Sequence, residues 1–179
     1  MADCLLTGGI DIDCTDLKSV GGVSKEFYAT SLANIASYQE NASGYVTRIV
    51  LQPYTSLYKF SSVKRAHSKT TNLVVQAGAN KLFEQVFTAK LFATSPTDDE
   101  VIEDLAVVDS VIFSKDNNGR WFALGLENGM ELTAYTQGSG TEAATDTTDT
   151  LTFTGQEIRK PRRLELDGGT LQALEYLTA

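Results

Sequence analysis

From Leu82 to Thr94 apolar and polar side chains alternate. Phe83, Phe87 and Leu91 fall on one face, and Glu84, Thr88 and Lys90 on the other. A period of two over that length predicts a long, half-buried strand. The pattern then changes. In Ser95-Pro96-Thr97-Asp98, Ser95 can cap a helix, Pro96 suits its first turn, and Asp98 stands at capping-box spacing. Asp99 and Glu100 add negative charge where the helix dipole favours it, and Val101, Ile102, Leu105 and Val108 follow at helical spacing. A meander is predicted beyond this helix: Val111–Ser114, a turn at Asn117-Asn118-Gly119, then Arg120–Leu126. A two-residue hairpin turn at Asn128-Gly129 leads into Met130–Thr136, because Asn-Gly tolerates the positive φ of a type I′ turn. Trp121, on a meander strand, reads as core.

The flanking stretches follow the same logic. Ser24–Ile35 alternates weakly and reads as a strand, and Gln39–Gly44 as a turn. Tyr45–Gln52 is rich in β-branched residues and stops at Pro53. Ser56–Ala77 starts and ends as strand around the polar, basic Val63–Lys69, which predicts a long hairpin with a basic, exposed tip. Gln137–Asp149 is acidic and apolar-poor, a solvated loop. Thr150–Thr154 places Leu151 and Phe153 inward and its threonines outward. The fold class is therefore mainly β, a β-sandwich or partly open barrel with one flanking α-helix, a long hairpin and extended terminal arms. Residues 1–22 read as an N-terminal arm or as a strand on the domain's own sheet, 23–158 as the β domain and 159–179 as a C-terminal arm hinged at Gly168-Gly169.

Composition adds an asymmetry. The net charge of −8 is unevenly spread: −4 over residues 1–40, +6 over 41–83, −11 over 84–158 and +1 over 159–179. Residues 41–83 contain no Asp or Glu at all. Such segregation concerns surfaces and partners rather than fold. No apolar run approaches the roughly 20 residues of a membrane helix, so no membrane insertion is expected. Met1–Leu6 shows no secretory pattern, and Cys4 and Cys14 are expected as reduced thiols of a chain folded in cytosol, with a disulfide between them as the alternative.

Few constellations suggest catalysis. His67 is the single histidine and is expected on an exposed loop, far from any serine elbow. The acids Asp11, Asp13 and Asp16 lack the glycine and terminal glutamate of a calcium loop. No glycine-rich loop precedes a helix, so no catalytic residue, metal or cofactor is expected. Two binding readings stand beside a merely solvated surface. Tyr54, Tyr58 and Phe60 with Lys64 could form a single-stranded nucleic-acid platform. Alternatively, a protomer with cationic and anionic ends can stack on copies of itself.

The basic stretch Ser56–Ala77, the helix after Ser95-Pro96 and the strand Asp149-Thr150-Leu151-Thr152-Phe153-Thr154-Gly155-Gln156-Glu157 follow one another as in a known architecture. In element order and flavour over residues 24–158 the chain resembles the major tail tube proteins of tailed bacteriophages. These are related to contractile-injection and type VI secretion tube proteins. The resemblance implies a structural virion protein of the tail, made in the bacterial host cytoplasm. Six copies would form a ring whose inner strands join into one barrel, and rings would stack through a long hairpin and terminal arms. DNA would pass through an acidic lumen during ejection. Expected partners are further copies, other tail proteins, a tape-measure protein or sheath, and transient double-stranded DNA. Inter-ring stacking is expected from Lys59, Lys64, Arg65 and Lys69 against Asp98, Asp99 and Glu100. A C-terminal contact patch is expected at Arg159, Lys160, Arg162 and Arg163. A monomeric decoration or adhesin module is the further alternative.

Overall fold

The computed structural model describes residues 21–62, 66–75, 81–92, 96–138 and 148–165. The elements in chain order are β1 (Val23–Ser31), a 3-10 turn (Leu32–Asn34), β2 (Ile35–Glu40), β3 (Val46–Leu51), β4 (Tyr58–Ser61), β5 (Ser68–Val75), β6 (Lys81–Phe92), α1 (Pro96–Leu105), β7 (Ser110–Asp116), β8 (Trp121–Leu124), β9 (Glu131–Gly138), β10 (Thr148–Glu157) and β11 (Arg162–Leu164). They form a β-sandwich with one helix. One sheet has four strands, in the order β5-β6-β10-β9, all antiparallel. The other has seven, in the order β2-β3-β11-β8-β7-β1-β4.

The alternating stretch is β6. Gln85, Phe87, Ala89 and Leu91 are buried, and the residues between them are half-exposed. β10 repeats this, with Leu151 and Phe153 buried and Thr148, Thr150, Thr152 and Thr154 on the far face. These inward residues meet Phe27 and Ala29 of β1, Ile112 of β7 and Leu124 of β8, with Ile102 and Leu105 of α1, in one apolar core. The seven-stranded sheet buries its other face as well. Tyr28, Val111, Phe113 and Trp121 pack with Val46 and Ile49 of β3 and with Leu164 of β11 in a second core. Residues four strands apart share that cluster, so the sheet curves back on itself.

The structure departs from the sequence reading at the crossings between sheets. Ser56–Ala77 is not a hairpin: β4 pairs with β1 in one sheet, and β5 pairs with β6 in the other. The chain is pinned where it crosses. Ser62 donates its N–H to the Lys25 carbonyl at 2.9 Å and its hydroxyl to the Lys90 carbonyl at 3.0 Å. His67 Nε2 donates to the Lys25 carbonyl at 3.1 Å, and its Nδ1 accepts the Lys90 N–H at 3.1 Å. These bonds tie β1 to β6 where β5 has not yet begun to supply ladder partners. His67 is accordingly buried rather than exposed, with its ring edge-on to Phe27 at 5.3 Å.

The meander also stops early. β7 and β8 pair, but β9 joins β10 in the other sheet, and Asn128-Gly129 is not a hairpin turn. Gly125 and Gly129 carry φ values of 71° and 81°, and only an isolated bridge, Ser110 to Met130, remains on this side. The crossing presses against Gly155 of β10, where an added Cβ would lie 2.5 Å from the Gly129 carbonyl oxygen. A two-residue turn would have kept Met130 on an edge; as built, Met130 is fully buried.

Three smaller differences follow the same rule. β2 occupies residues that the sequence pattern assigns partly to a turn. Asp149, expected in a solvated loop, is buried and accepts the Tyr135 hydroxyl at 3.0 Å. Residues 162–164, expected in an arm, form β11 between β3 and β8. The capping serine Ser95, Cys4 and Cys14, and the arms outside 21–165 lie outside the described residues.

Candidate functional site at the open edges of the four-stranded sheet

The sites expected from sequence separate into three groups. Lys64 and Arg65 lie outside the described residues. Asp98 and Asp99 are exposed in the first turn of α1 and Glu100 just after it, and the last turn holds no base. Lys59, Arg159, Lys160 and Arg163 are at the surface. Lys59 Nζ lies 3.1 Å from Glu26, Arg159 lies 3.4 Å from Glu40, and the Arg163 guanidinium sits over the Tyr45 ring at 5.2 Å.

Lys69 and Arg162 are the third group and are turned inward. The Lys69 ammonium stands 3.1 Å from the centre of the Phe122 ring. Burial pushes it down to about 8, while the Asp116 carboxylate pulls the other way. Arg162 Nε lies 3.1 Å from Glu40 and its Nη2 3.5 Å from Glu127, with 13% of the side chain exposed. Both cations are used within the protomer because each stands on the inward side of its strand, Lys69 opposite the buried Phe87 and Arg162 opposite the buried Ala123, which residue type alone does not reveal. Next to Arg162, the fully buried Gln85 donates to Glu157 Oε2 at 2.8 Å, and Glu157 Oε1 accepts the Glu127 N–H at 2.7 Å. This network holds the β10–β11 crossing.

His67 is held by the backbone on both sides of its ring. Both ring nitrogens are engaged by backbone groups, and burial lowers its pKa, so the neutral Nε2–H form is the one the site accepts. Phe60 is half-buried and stacked on Phe27, 5.0 Å away and 7° from parallel, at the margin of the first core. Among the described residues no group of three or more His, Cys, Asp or Glu side chains could hold a metal ion. Among them, too, no helix is long and apolar enough to cross a membrane.

The unusual feature is the four-stranded sheet itself. Among the described residues β5 pairs only with β6, and β9 only with β10. Each edge is eight residues long and mostly exposed. Long unpaired edges are a template for another strand, and natural folds usually blunt them. Here the edges also carry apolar side chains. Leu73 and Val75 on β5 are 55% and 61% exposed, and Tyr135 on β9 is 43% exposed. By alternation all three point to the core-facing side, beyond what the second sheet covers.

The two edges are offset along the strands. β5 lies level with Lys81–Thr88 of β6, whereas β9, carried across β10, lies level with Val86–Phe92. Their midpoints differ by four to five residues, or about 15 Å. The outer face of this sheet is paved with hydroxyls: Ser68 and Thr70 of β5, Thr88 of β6, Thr133 and Thr136 of β9, and the four threonines of β10. Its charges among the described residues are Glu84 and Glu131 against Lys90, so this face is near neutral rather than acidic. Sequence reasoning missed the edges, since β5 looked like half of a hairpin and β9 like the third strand of a meander.

Comparison with known proteins finds no match: no protein-family model, no curated protein and no solved structure is significantly similar to this chain.

Proposed function

We propose that this chain is a structural subunit that closes rings through its four-stranded sheet and stacks them into a tube of the bacteriophage tail type. The observation that carries this reading is the pair of long, oppositely directed, offset edges. β5 and β9 run antiparallel to each other, so β9 of one copy can pair with β5 of the next in an all-antiparallel sheet. Moving from one copy to the next crosses four strand spacings, about 19 Å. An along-strand offset of about 15 Å over that distance corresponds to a strand tilt of about 38°, inside the range of closed barrels. Untilted copies would leave the two edges out of step. Six copies would give 24 strands and a backbone radius of about 23 Å, wide enough for duplex DNA.

On this reading the threonine face lines the channel. A hydroxyl lining lets a polyanion pass by exchanging water contacts, without a continuous field of either sign. Ring-to-ring contacts fall to the cations Lys64 and Arg65, which follow the pinned Ser62. The seven-stranded sheet faces outward, towards a sheath or other tail proteins where these exist.

Sedimentation and negative-stain microscopy of the purified chain over a wide concentration range test the proposal. Rings of one size, or tubes built of them, are expected. A chain that stays monomeric at every concentration and ionic strength overturns it.

A further inference from the structure

The described part of α1 packs over one flank of the sandwich and leaves a groove of about 410 Å³ against β9. Ile102, Ala106, Leu132 and Tyr135 make its apolar walls, and Asp99 and Glu103 rim it. On the opposite flank of the same protomer, Leu73 and Val75 overhang on the core-facing side of β5. Lys81, exposed and directly opposite Val75 in the β5–β6 register, stands beside them.

We infer that this groove seats the overhanging β5 of a second copy, so that the acidic helix serves the lateral contact within a ring rather than stacking between rings. This rests on the ring reading above, which sets β9 of one copy beside β5 of the next. Two independent observations match groove to occupant. The first is register. Leu73 lies level with Phe83 of β6, while Leu132 and Tyr135 lie level with Phe87 and Ala89 through β10. The four-to-five-residue shift that aligns the two edges carries Leu73 to the level of Leu132 and Tyr135, with Val75 just below. The second is charge. The helix carries Asp98, Asp99, Glu100, Glu103 and Asp104 and no base, whereas Lys81 comes in on β6, one strand behind the incoming edge. An apolar centre with a complementary charged rim is the usual anatomy of a specific contact.

The test uses the full chain with Cys4 and Cys14 replaced by Ser. Lys81→Glu and Glu103→Lys are each expected to weaken ring formation about tenfold in sedimentation. The Lys81→Glu/Glu103→Lys combination is expected to recover most of that loss. The apolar contact can be probed directly: Val75→Cys with Ala106→Cys is expected to give disulfide-linked oligomers on mild oxidation of assembled rings. Circular dichroism and melting of the single variants check that the exposed substitutions leave the protomer folded. Rings that form as before in both single variants, without cross-linking of the cysteine pair, overturn the groove assignment and leave the ring reading standing. A parent chain that never forms rings overturns both.

Discussion

The two sheets of this sandwich solve the edge problem in opposite ways. The seven-stranded sheet buries residues on both faces, and its edge strands are short, six residues in β2 and four in β4. The four-stranded sheet buries one face only and exposes eight-residue edges with apolar side chains. The first buries both its faces within the protomer; the second, among the described residues, leaves its edges without a further strand. A protein that needed only stability would gain nothing from the second arrangement, which exposes backbone to unwanted pairing. The contrast separates residues that fold the chain from residues free to act between chains.

That separation can be broken most forcefully from the folding side. Phe113 is fully buried in the second core. Phe113→Ala is expected to cost about 3–5 kcal/mol by urea unfolding. Leu73→Ser, on the open edge, is expected to change protomer stability by no more than about 0.5 kcal/mol while weakening assembly. Equal losses in both variants would erase the distinction between the sheets.

The pin between the sheets is next in size. His67→Ala leaves the Lys90 N–H without its acceptor and is expected to cost about 1–3 kcal/mol at neutral pH. The imidazole also makes stability depend on pH. Its folded pKa lies below the unfolded value of 6.5, so the unfolded chain takes up the proton first. Stability is therefore complete above about pH 6.5 and declines as pH falls towards the lowered value. Urea midpoints measured down this range should fall for the parent chain and fall less for His67→Ala.

Lys69 gives a gentler effect at the other end of the scale. Its folded pKa of about 8 lies below the usual 10.5, so the unfolded chain again holds the proton longer. Stability is expected to rise as pH increases from about 8 to 10.5, and to level off above. Lys69→Met keeps the stem over Phe122 and should remove that rise. A parent chain whose midpoint stays flat between these values would show the ammonium to be solvated.

The smallest effect is expected at Tyr54. It is the one non-glycine residue with positive φ, 63°, among the described residues, and it is 84% exposed. Tyr54→Gly relieves that backbone strain and forfeits little packing, so a gain of about 1 kcal/mol or less is expected from thermal melting.

Much of this molecule was legible before any coordinates. The alternation from Leu82 to Thr94 marked β6 and its inward Phe87 and Leu91. The step from period two to helical spacing marked α1, and Leu151 and Phe153 marked the inner face of β10. Trp121 was legible as core. The candidate site was less so. The acids of α1 were visible, but the apolar side chains of β5 and β9 looked like ordinary strand residues. Lys69 and Arg162 looked like free surface cations, and His67 like a loop residue.

The reason lies in the range of the forces. Periodicity reports which side of a strand is wet, because side-chain direction is set by the residue's own backbone, and a chain carries that information locally. Pairing partners are chosen by contacts between distant segments, and alternation looks the same whichever neighbour a strand takes. So the amino-acid order settled the long strands β6 and β10, the helix, and the apolar side chains that they turn inward. Only the tertiary arrangement sent β4 and β5 to different sheets, drew His67, Lys69 and Arg162 inside, and left two edges of one sheet open among the described residues.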